Sequence, residues 1–335
     1  MVSAAQVQSR LGLTDAVLDR ITMFGRADAV ATLPAGDVAD AYLGMFHVGE
    51  QDRVETLGAR PDPDRHPELW WVLTHLVDEM HRNMDRRLPV AGFPAWPALP
   101  VPDDPVGCYL YVWVLLAAAD ELLAVYQRRG IPHEVRDSSL VLGDVMGFHR
   151  QFTGHGGMSL FQPWSPPVTF RAADYHIGAH SFTRCDLAFG AGPQGHGLFV
   201  HVPHGQSLNV DATRAAMAQA EEFMSRHYPE EPLAMFTCSS WLLDPQWAAY
   251  LPESSNILQF QRQFRLIPEH FAPQDDAGDK EVLFTALGQH PPDAPLDEDF
   301  LDQVSQATSM ERGFVQHLRS GGHFHHRLGI RPVGP

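Results

Sequence analysis

Cysteine is scarce in this sequence. Cys108, Cys185 and Cys238 are the only three, and no two stand in CxxC spacing. That excludes a disulfide framework and points to a reducing compartment, so a cytoplasmic protein is expected. Cations are also few: 24 Lys and Arg against 41 Asp and Glu, for a net charge of -17. Nucleic-acid binding needs clustered cations to neutralise phosphates, and the pairs Arg86-Arg87 and Arg128-Arg129 stand isolated, so no nucleic-acid partner is expected. The segment "MVSAAQVQSRLGL" lacks a basic stretch followed by an apolar run, and no signal peptide is expected. The longest apolar run, "CYLYVWVLLAAADELLAVY", is interrupted by Asp120 and Glu121, which makes it a buried core helix with no membrane partner. No repeat or low-complexity tract is visible.

What remains is the composition of a globular protein, 44% hydrophobic and 19% charged, over 335 residues. That length predicts two domains. The first part reads as helices. "TDAVLDRITMF" opens on Thr14, a plausible N-cap. "AGDVADAYLGMF" and "HPELWWVLTHLVDEMHRNMDRRL" follow, the latter with Leu69, Leu73, Leu76, Val77 and Met80 at helical spacing. The prolines of residues 89–107 forbid helix and central strand and predict an ordered strap, pinned by Phe93 and Trp96. After the helix 108–128 one more helix is expected from Ser138 to Thr153, ending at "GHGG".

The pattern then turns to strands. "PVTFRAADYHIGAHSFTRCDLAF" holds two β-like runs, and "GLFVHVPHG", "PLAMFTCSSWLL", "RLIP", "KEVLFTAL" and "HFHHRLGI" read as strands. "NVDATRAAMAQAEEFMSRHYP", with Asp211 as the expected N-cap, "SSNILQFQRQF" and "SMERGFVQHLRSGG" read as helices. The fold class is therefore α+β: an all-helical domain over 1–150, then a mixed α/β domain over 151–335. One strand raises a question. In "MFTCSSWLLDP" the residues Cys238, Ser239 and Ser240 put a polar run where a core strand excludes one, because each buried hydroxyl needs a partner.

The ordered set "FVHVP", "RHYPEEP", "TCSSWLLDP", "SSNILQFQRQF" and "HLRSGGHF" resembles the GNAT-like C-terminal domain of a bacterial family of acyltransferases. In that family it follows a helical N-acyltransferase N-terminal domain, and "PELWWVL" with "FPAWPALPVPDD" is similar to that part. The resemblance implies a sheet whose two central parallel strands splay apart to admit the pantetheine arm of an acyl thioester. "LFVHV" would be the first of these strands and "AMFTCSSW" the second, so Cys-Ser-Ser would line the opening.

Acyl transfer to an amine or hydroxyl needs a general base, donors for the thioester oxygen and a proton for the leaving thiolate. His201, on the first strand, is the candidate base. Cys238 and Ser240 are candidates for leaving-group protonation or donor contacts, on one face by strand alternation, with Ser239 on the other. A covalent Cys238 intermediate is the weaker scheme, since buried cysteines are mostly inert. The family often carries His where this chain has Ser239. Val202, Gly205, Gln206, Ser207, Ser239 and Asn256 are the candidate donor-binding residues, Asn256 doubling as an N-cap. The segment "PHGQSLNVDATR" carries one glycine, and Asp211 repels phosphate, which makes acyl-pantetheine on an acyl carrier protein a rival to acyl-CoA as co-substrate. Phe260 stands near the place where many GNAT enzymes carry an acid Tyr, with Tyr250 in the preceding segment.

The acceptor is expected to be a small molecule or peptide. Trp70, Trp71, Trp113 and Phe93 are candidates to line its pocket, with core packing as the blander alternative. Two other readings stand beside transfer. One is a GNAT-like protein that binds an acyl thioester without turnover. The other is a metal enzyme built on the 19 histidines, among them His176 with His180, His201 with His204, and His323, His325 and His326. Spacing favours no complete ligand set, so no metal is expected. His323 is read as fixing the turn after two glycines or lining the acceptor side of the cleft.

Overall fold

In a computed structural model, residues 2–25, 27, 31–89, 95–163, 165–187, 195–203, 208–268, 278–289 and 296–334 are described. The chain divides into two compact units, Met1–Tyr175 and His176–Pro335. The division falls later than the join expected near residue 150. The reason is local: residues 149–160 fasten onto the first unit's core. Tyr111 N donates to Ser159 Oγ (3.2 Å), and Leu99 N to Ser159 O (2.7 Å).

Among its described residues the first unit is helical up to Thr169. Ser3 and Gln6 form a capping box, and Thr14 Oγ1 accepts from Val17 N, as its position predicts. Helix Pro67–Arg82 buries Leu69, Val72, Leu73, Leu76, Val77 and Met80, a stripe of three- and four-residue spacing. Glu79, also buried there, is held by both terminal nitrogens of Arg20 at 2.9 Å. Helix Leu110–Arg129 is buried on most sides, the mark of a core helix, and Gly130 ends it in the left-handed region at φ 63°. Trp96 is fully buried against Tyr111, whose hydroxyl donates to Pro97 O (2.5 Å), so the strap is pinned as predicted at Trp96; Phe93 lies outside the described residues. Trp113 is core as well, its Nε1 donating to Thr56 O (3.1 Å).

The helix predicted from Ser138 is two helices, His133–Ser139 and Leu142–Thr153. The break falls at Leu140 and Val141, and within the second helix Gly143 lies so close to residues 47–48 that a Cβ would stand 2.0 Å from His47 O. The glycine-rich loop after Thr153 wraps a buried imidazole. His149 Nδ1 lies 3.0 Å from His155 O, and Leu160 N donates to Nε2 (3.2 Å). That pattern requires the neutral Nδ1–H tautomer, and burial pushes the ring down to about 4.

The second unit carries a six-stranded mixed sheet in the order β1-β2-β3-β4-β6-β5. The strands are β1 (Asp174–Ile177), β2 (His180–Leu187), β3 (Gly195–His201), β4 (Leu233–Ser240), β5 (Arg265–Leu266) and β6 (Arg327–Pro332). β2 and β3 are antiparallel, β3 and β4 parallel, and β6 antiparallel to both β4 and β5. Helix Val210–His227 joins β3 to β4, the crossover that a parallel pair requires. Its cap is Asn209, whose Oδ1 accepts from Asp211 N and Ala212 N; Asp211 sits in the first turn and is not the cap. Beyond the helix's far end, Glu231 meets the fully buried Arg184 of β2 (Nε–Oε2 3.0 Å), whose guanidinium lies 3.7 Å from the Tyr228 ring centroid.

The two β-like runs expected in "PVTFRAADYHIGAHSFTRCDLAF" are β1 and β2. The short helix Ser165–Thr169 precedes them. One strand expectation fails. "KEVLFTAL" is the helix Gly278–Glu281 followed by a π turn, Val282–Ala286. Its β-branched residues favour a strand, but tertiary contacts override them. Thr285 Oγ1 donates to Glu281 O (2.7 Å) and accepts from Trp241 Nε1 (3.0 Å), and Leu287 N reaches Val282 O in the wider π register.

Candidate active site

β3 and β4 run side by side only as far as Phe199 and Thr237, their last paired residues. Each then keeps its outer neighbour. Val200 and His201 continue against Phe182 and Ser181 of β2, while Cys238, Ser239 and Ser240 continue against Gly329, Leu328 and Arg327 of β6. Two strands held by opposite neighbours and released from each other leave an opening between them. The splayed sheet predicted for "LFVHV" and "AMFTCSSW" is present, and Cys-Ser-Ser is the stretch of β4 that continues past the last β3 pairing.

The three residues do three different things. Cys238 is 2% exposed. Burial, and then the charge of Glu281, push its thiol up to about 12. It is a neutral thiol at working pH, which leaves no thiolate for covalent catalysis. Ser239 is exposed. Ser240 Oγ accepts from Leu242 N (3.1 Å) and caps the 3₁₀ turn Trp241–Leu243, so the hydroxyl has a structural duty.

Register sets the faces. Phe199 pairs with Thr237, so residues two further on, His201 and Ser239, share their face, while Cys238 and Ser240 point to the other. His201 ends β3 with its ring 4.6 Å from that of Phe199. Burial pushes it down to about 3. The imidazole is thus neutral, able to accept a hydrogen bond, and a weaker base than an unperturbed histidine. Cys238 and Ser240 therefore do not join His201 on one face; Ser239 does. Val202 follows the strand end. Gly205, Gln206, Ser207 and His204 lie outside the described residues.

Asn256 is exposed in the first turn of helix Asn256–Gln261, and the cap is Ser255, whose Oγ accepts from Leu258 N (3.3 Å). The double role considered for Asn256 reduces to an exposed amide. Phe260 is core, packed on Phe264 and His180. Tyr250 is engaged by His317 (OH to Nδ1, 3.0 Å).

The histidines divide among separate partners. His180 Nε2 meets Thr213 Oγ1 (3.0 Å), and burial pushes the ring down to about 4. His323 Nδ1 lies 2.7 Å from Asp279 Oδ2, whose Oδ1 accepts from Phe324 N (2.8 Å). His325 N donates to Asp244 Oδ2 (2.7 Å), and His326 Nε2 is ion-paired with Glu281. Among the described residues no group of three or more His, Cys, Asp or Glu side chains is placed to hold a metal ion. Asp244, Asp279 and Glu281 are the residues that sequence reasoning missed. The acid in "LLDP" and the acids beside Lys280 were visible, but nothing local ties them to histidines 44 to 81 positions away.

A family model described as the GNAT-like C-terminal domain matches residues 159–331, and one described as the N-acyltransferase N-terminal domain matches 37–169. Among solved structures, an acyltransferase in complex with decanoyl-CoA and teicoplanin is 32% identical over 99% of this chain and 100% of that one, with a TM-score of 0.80. An acyltransferase in complex with CoA and 10C-teicoplanin is 31% identical over the same shares, with a TM-score of 0.82. A mutant acyltransferase in complex with octanoyl-CoA is also 31% identical over those shares, with a TM-score of 0.81. Comparison with curated protein sequences found no match.

Proposed function

The chain belongs to the acyltransferases that join an N-acyltransferase N-terminal domain to a GNAT-like C-terminal domain, and from that membership we propose that it moves a medium-chain acyl group from acyl-CoA to an amine of a peptide-like acceptor. The observation that carries this reading is the parting of β3 and β4 after Phe199 and Thr237. Past Thr237 the β3-facing backbone of β4 has no strand partner among the described residues, and its N–H and C=O groups are suited to the amides of a pantetheine arm. The relatives' complexes with decanoyl-CoA, octanoyl-CoA and CoA support the CoA thioester over a carrier-protein donor. The relatives' teicoplanin complexes support a glycopeptide-like acceptor.

Transfer is direct. Cys238 holds its proton, so the acceptor amine itself attacks the thioester carbonyl. Neutral His201 accepts a hydrogen bond from the amine and takes its proton as the C–N bond forms. At that point the nitrogen is cationic and strongly acidic, so a weak base suffices. Ser239, on the same face, is placed to orient donor or acceptor. No disulfide ties the three cysteines, which supports a cytoplasmic enzyme.

The test is calorimetric titration with acetyl-CoA, decanoyl-CoA and decanoyl-pantetheine, followed by thiol release in the presence of teicoplanin. Tight binding of decanoyl-CoA with acceptor-dependent release of CoA is expected. Equal affinity for decanoyl-pantetheine would transfer the donor role to a carrier protein. Binding without release would leave a sensor.

A further inference from the structure

Arg171, in the first unit, is a buried cation outside the acyl-transfer chemistry. It is 1% exposed, and among the described residues two of its guanidinium nitrogens, Nε and Nη2, are enclosed with no acceptor. Those two N–H groups form one edge of the guanidinium, the fork that grips an anion with two parallel hydrogen bonds. The same edge is in use elsewhere in this chain. Arg184 turns Nε and Nη2 on Glu231, and Arg53 turns them on Asp40. Arg171 has the fork without the acid.

The surroundings supply charge and donors of the same kind. Two neighbouring charges act on Arg171, Glu79 in its favour and Arg20 against it. Glu79 is already engaged, since its Oε1 and Oε2 accept from Nη2 and Nη1 of Arg20 at 2.9 Å. Two cations and one carboxylate leave one positive charge over. Burial pushes the Arg171 guanidinium down to about 10, which still leaves it charged at neutral pH. Arg20 Nε donates to Ala95 O (2.8 Å), and the next residue, Trp96, is fully buried with its indole N–H also lacking an acceptor among the described residues. The backbone keeps Arg171 from swinging out to water. Its N donates to Val168 O (3.3 Å), its O accepts from Asp85 N (2.8 Å), and Ala172 after it is buried at φ 57°.

A buried cation needs a counter-charge, and buried N–H groups need acceptors. We propose that the Nε–Nη2 edge of Arg171 is a binding site for a small monovalent anion, chloride or a carboxylate of the size of formate. The valence follows from the charge: one anion neutralises the single excess cation, and a dianion would reverse it. The size follows from the enclosure. With no exposed surface at Nε or Nη2, the ion enters by a local opening and has few atoms. The site is assembled only in the folded chain, so the anion stabilises the fold by mass action.

The experiment follows thermal unfolding of wild type and Arg171→Met at fixed ionic strength, with sodium gluconate replaced by sodium chloride or sodium formate. In wild type the Tm should rise by at least about 2 °C as either anion reaches about 0.2 M, and Arg171→Met should lose that dependence. A larger rise with formate assigns the site to carboxylates, and a larger rise with chloride assigns it to halides. Crystals soaked in sodium bromide or sodium formate should show the anion within hydrogen-bonding distance of Arg171 Nε and Nη2. Equal Tm values in gluconate, chloride and formate, or the same anion dependence in Arg171→Met, would overturn the proposal. Where Arg171→Met does not fold, the soaked crystals decide, and neither anion at that edge would overturn it equally.

Discussion

Phe199 and Thr237 are the last residues at which β3 and β4 meet, and the proposed chemistry begins two residues beyond them, at His201 and Ser239. His201 lies on their face of the sheet and Cys238 on the other, so the two residues that most invite a nucleophile–base pairing are kept apart by strand alternation.

That separation makes a prediction for Cys238. Cys238→Ala should keep transfer within about threefold of wild type, with some loss of stability from the small cavity, about 1 kcal/mol. Intact-mass measurement of wild type with decanoyl-CoA alone should show no acylated protein. A stable mass increase lost in the variant would restore the covalent scheme.

His201→Ala should lower kcat by about 10²- to 10⁴-fold, the range for a positioned acid or base, and leave decanoyl-CoA affinity little changed. Stopped-flow transfer assays with parallel calorimetry check this. An unchanged kcat would remove His201 from the chemistry.

The buried His149 and His180 and the partly buried His201 predict acid sensitivity. In the folded chain His149 and His180 are pushed down to about 4 and His201 to about 3. The unfolded chain binds these protons near an ordinary histidine value of about 6.5. Between those limits the unfolded state holds more protons, so stability rises with pH there. Thermal melts should therefore give a falling Tm from about pH 6.5 toward pH 4, before carboxylate protonation adds its share. His180→Asn should flatten part of that slope; an unaltered slope would show that the ring is not buried neutral.

Gly157 adopts φ 87°, and a Cβ there would stand 2.1 Å from Cys108 O. Gly157→Ala should cost about 2–4 kcal/mol from strain and overlap together. Urea denaturation measures it, and a loss below about 0.5 kcal/mol would mean that the loop relaxes freely.

Arg184 and Glu231 are a buried pair, and removing the cation alone strands a carboxylate. Arg184→Met should cost about 3–5 kcal/mol, with Arg184→Met/Glu231→Leu recovering much of it. A double variant no better than the single would assign the loss to the Tyr228 contact instead.

Much of this was written locally in the chain. Helical spacing in Pro67–Arg82, the Thr14 cap, the apolar run of Leu110–Arg129 and the glycine stops at Gly130 and Gly154 are properties of neighbouring residues, and periodicity reports them directly. The splayed sheet and thioester cleft came instead from the family resemblance that the order of motifs from "FVHVP" to "GGHF" carries. Only the tertiary structure decided where the splay begins, because strand register depends on partners far apart in sequence. It made a turn of helix out of "KEVLFTAL", where contacts from Trp241 outweigh β-propensity. It also set the protonation of His201 and Cys238 through burial, and joined His323 to Asp279 and His326 to Glu281 across more than forty residues. Charge pairing and desolvation act through space, and no local pattern in the sequence encodes them.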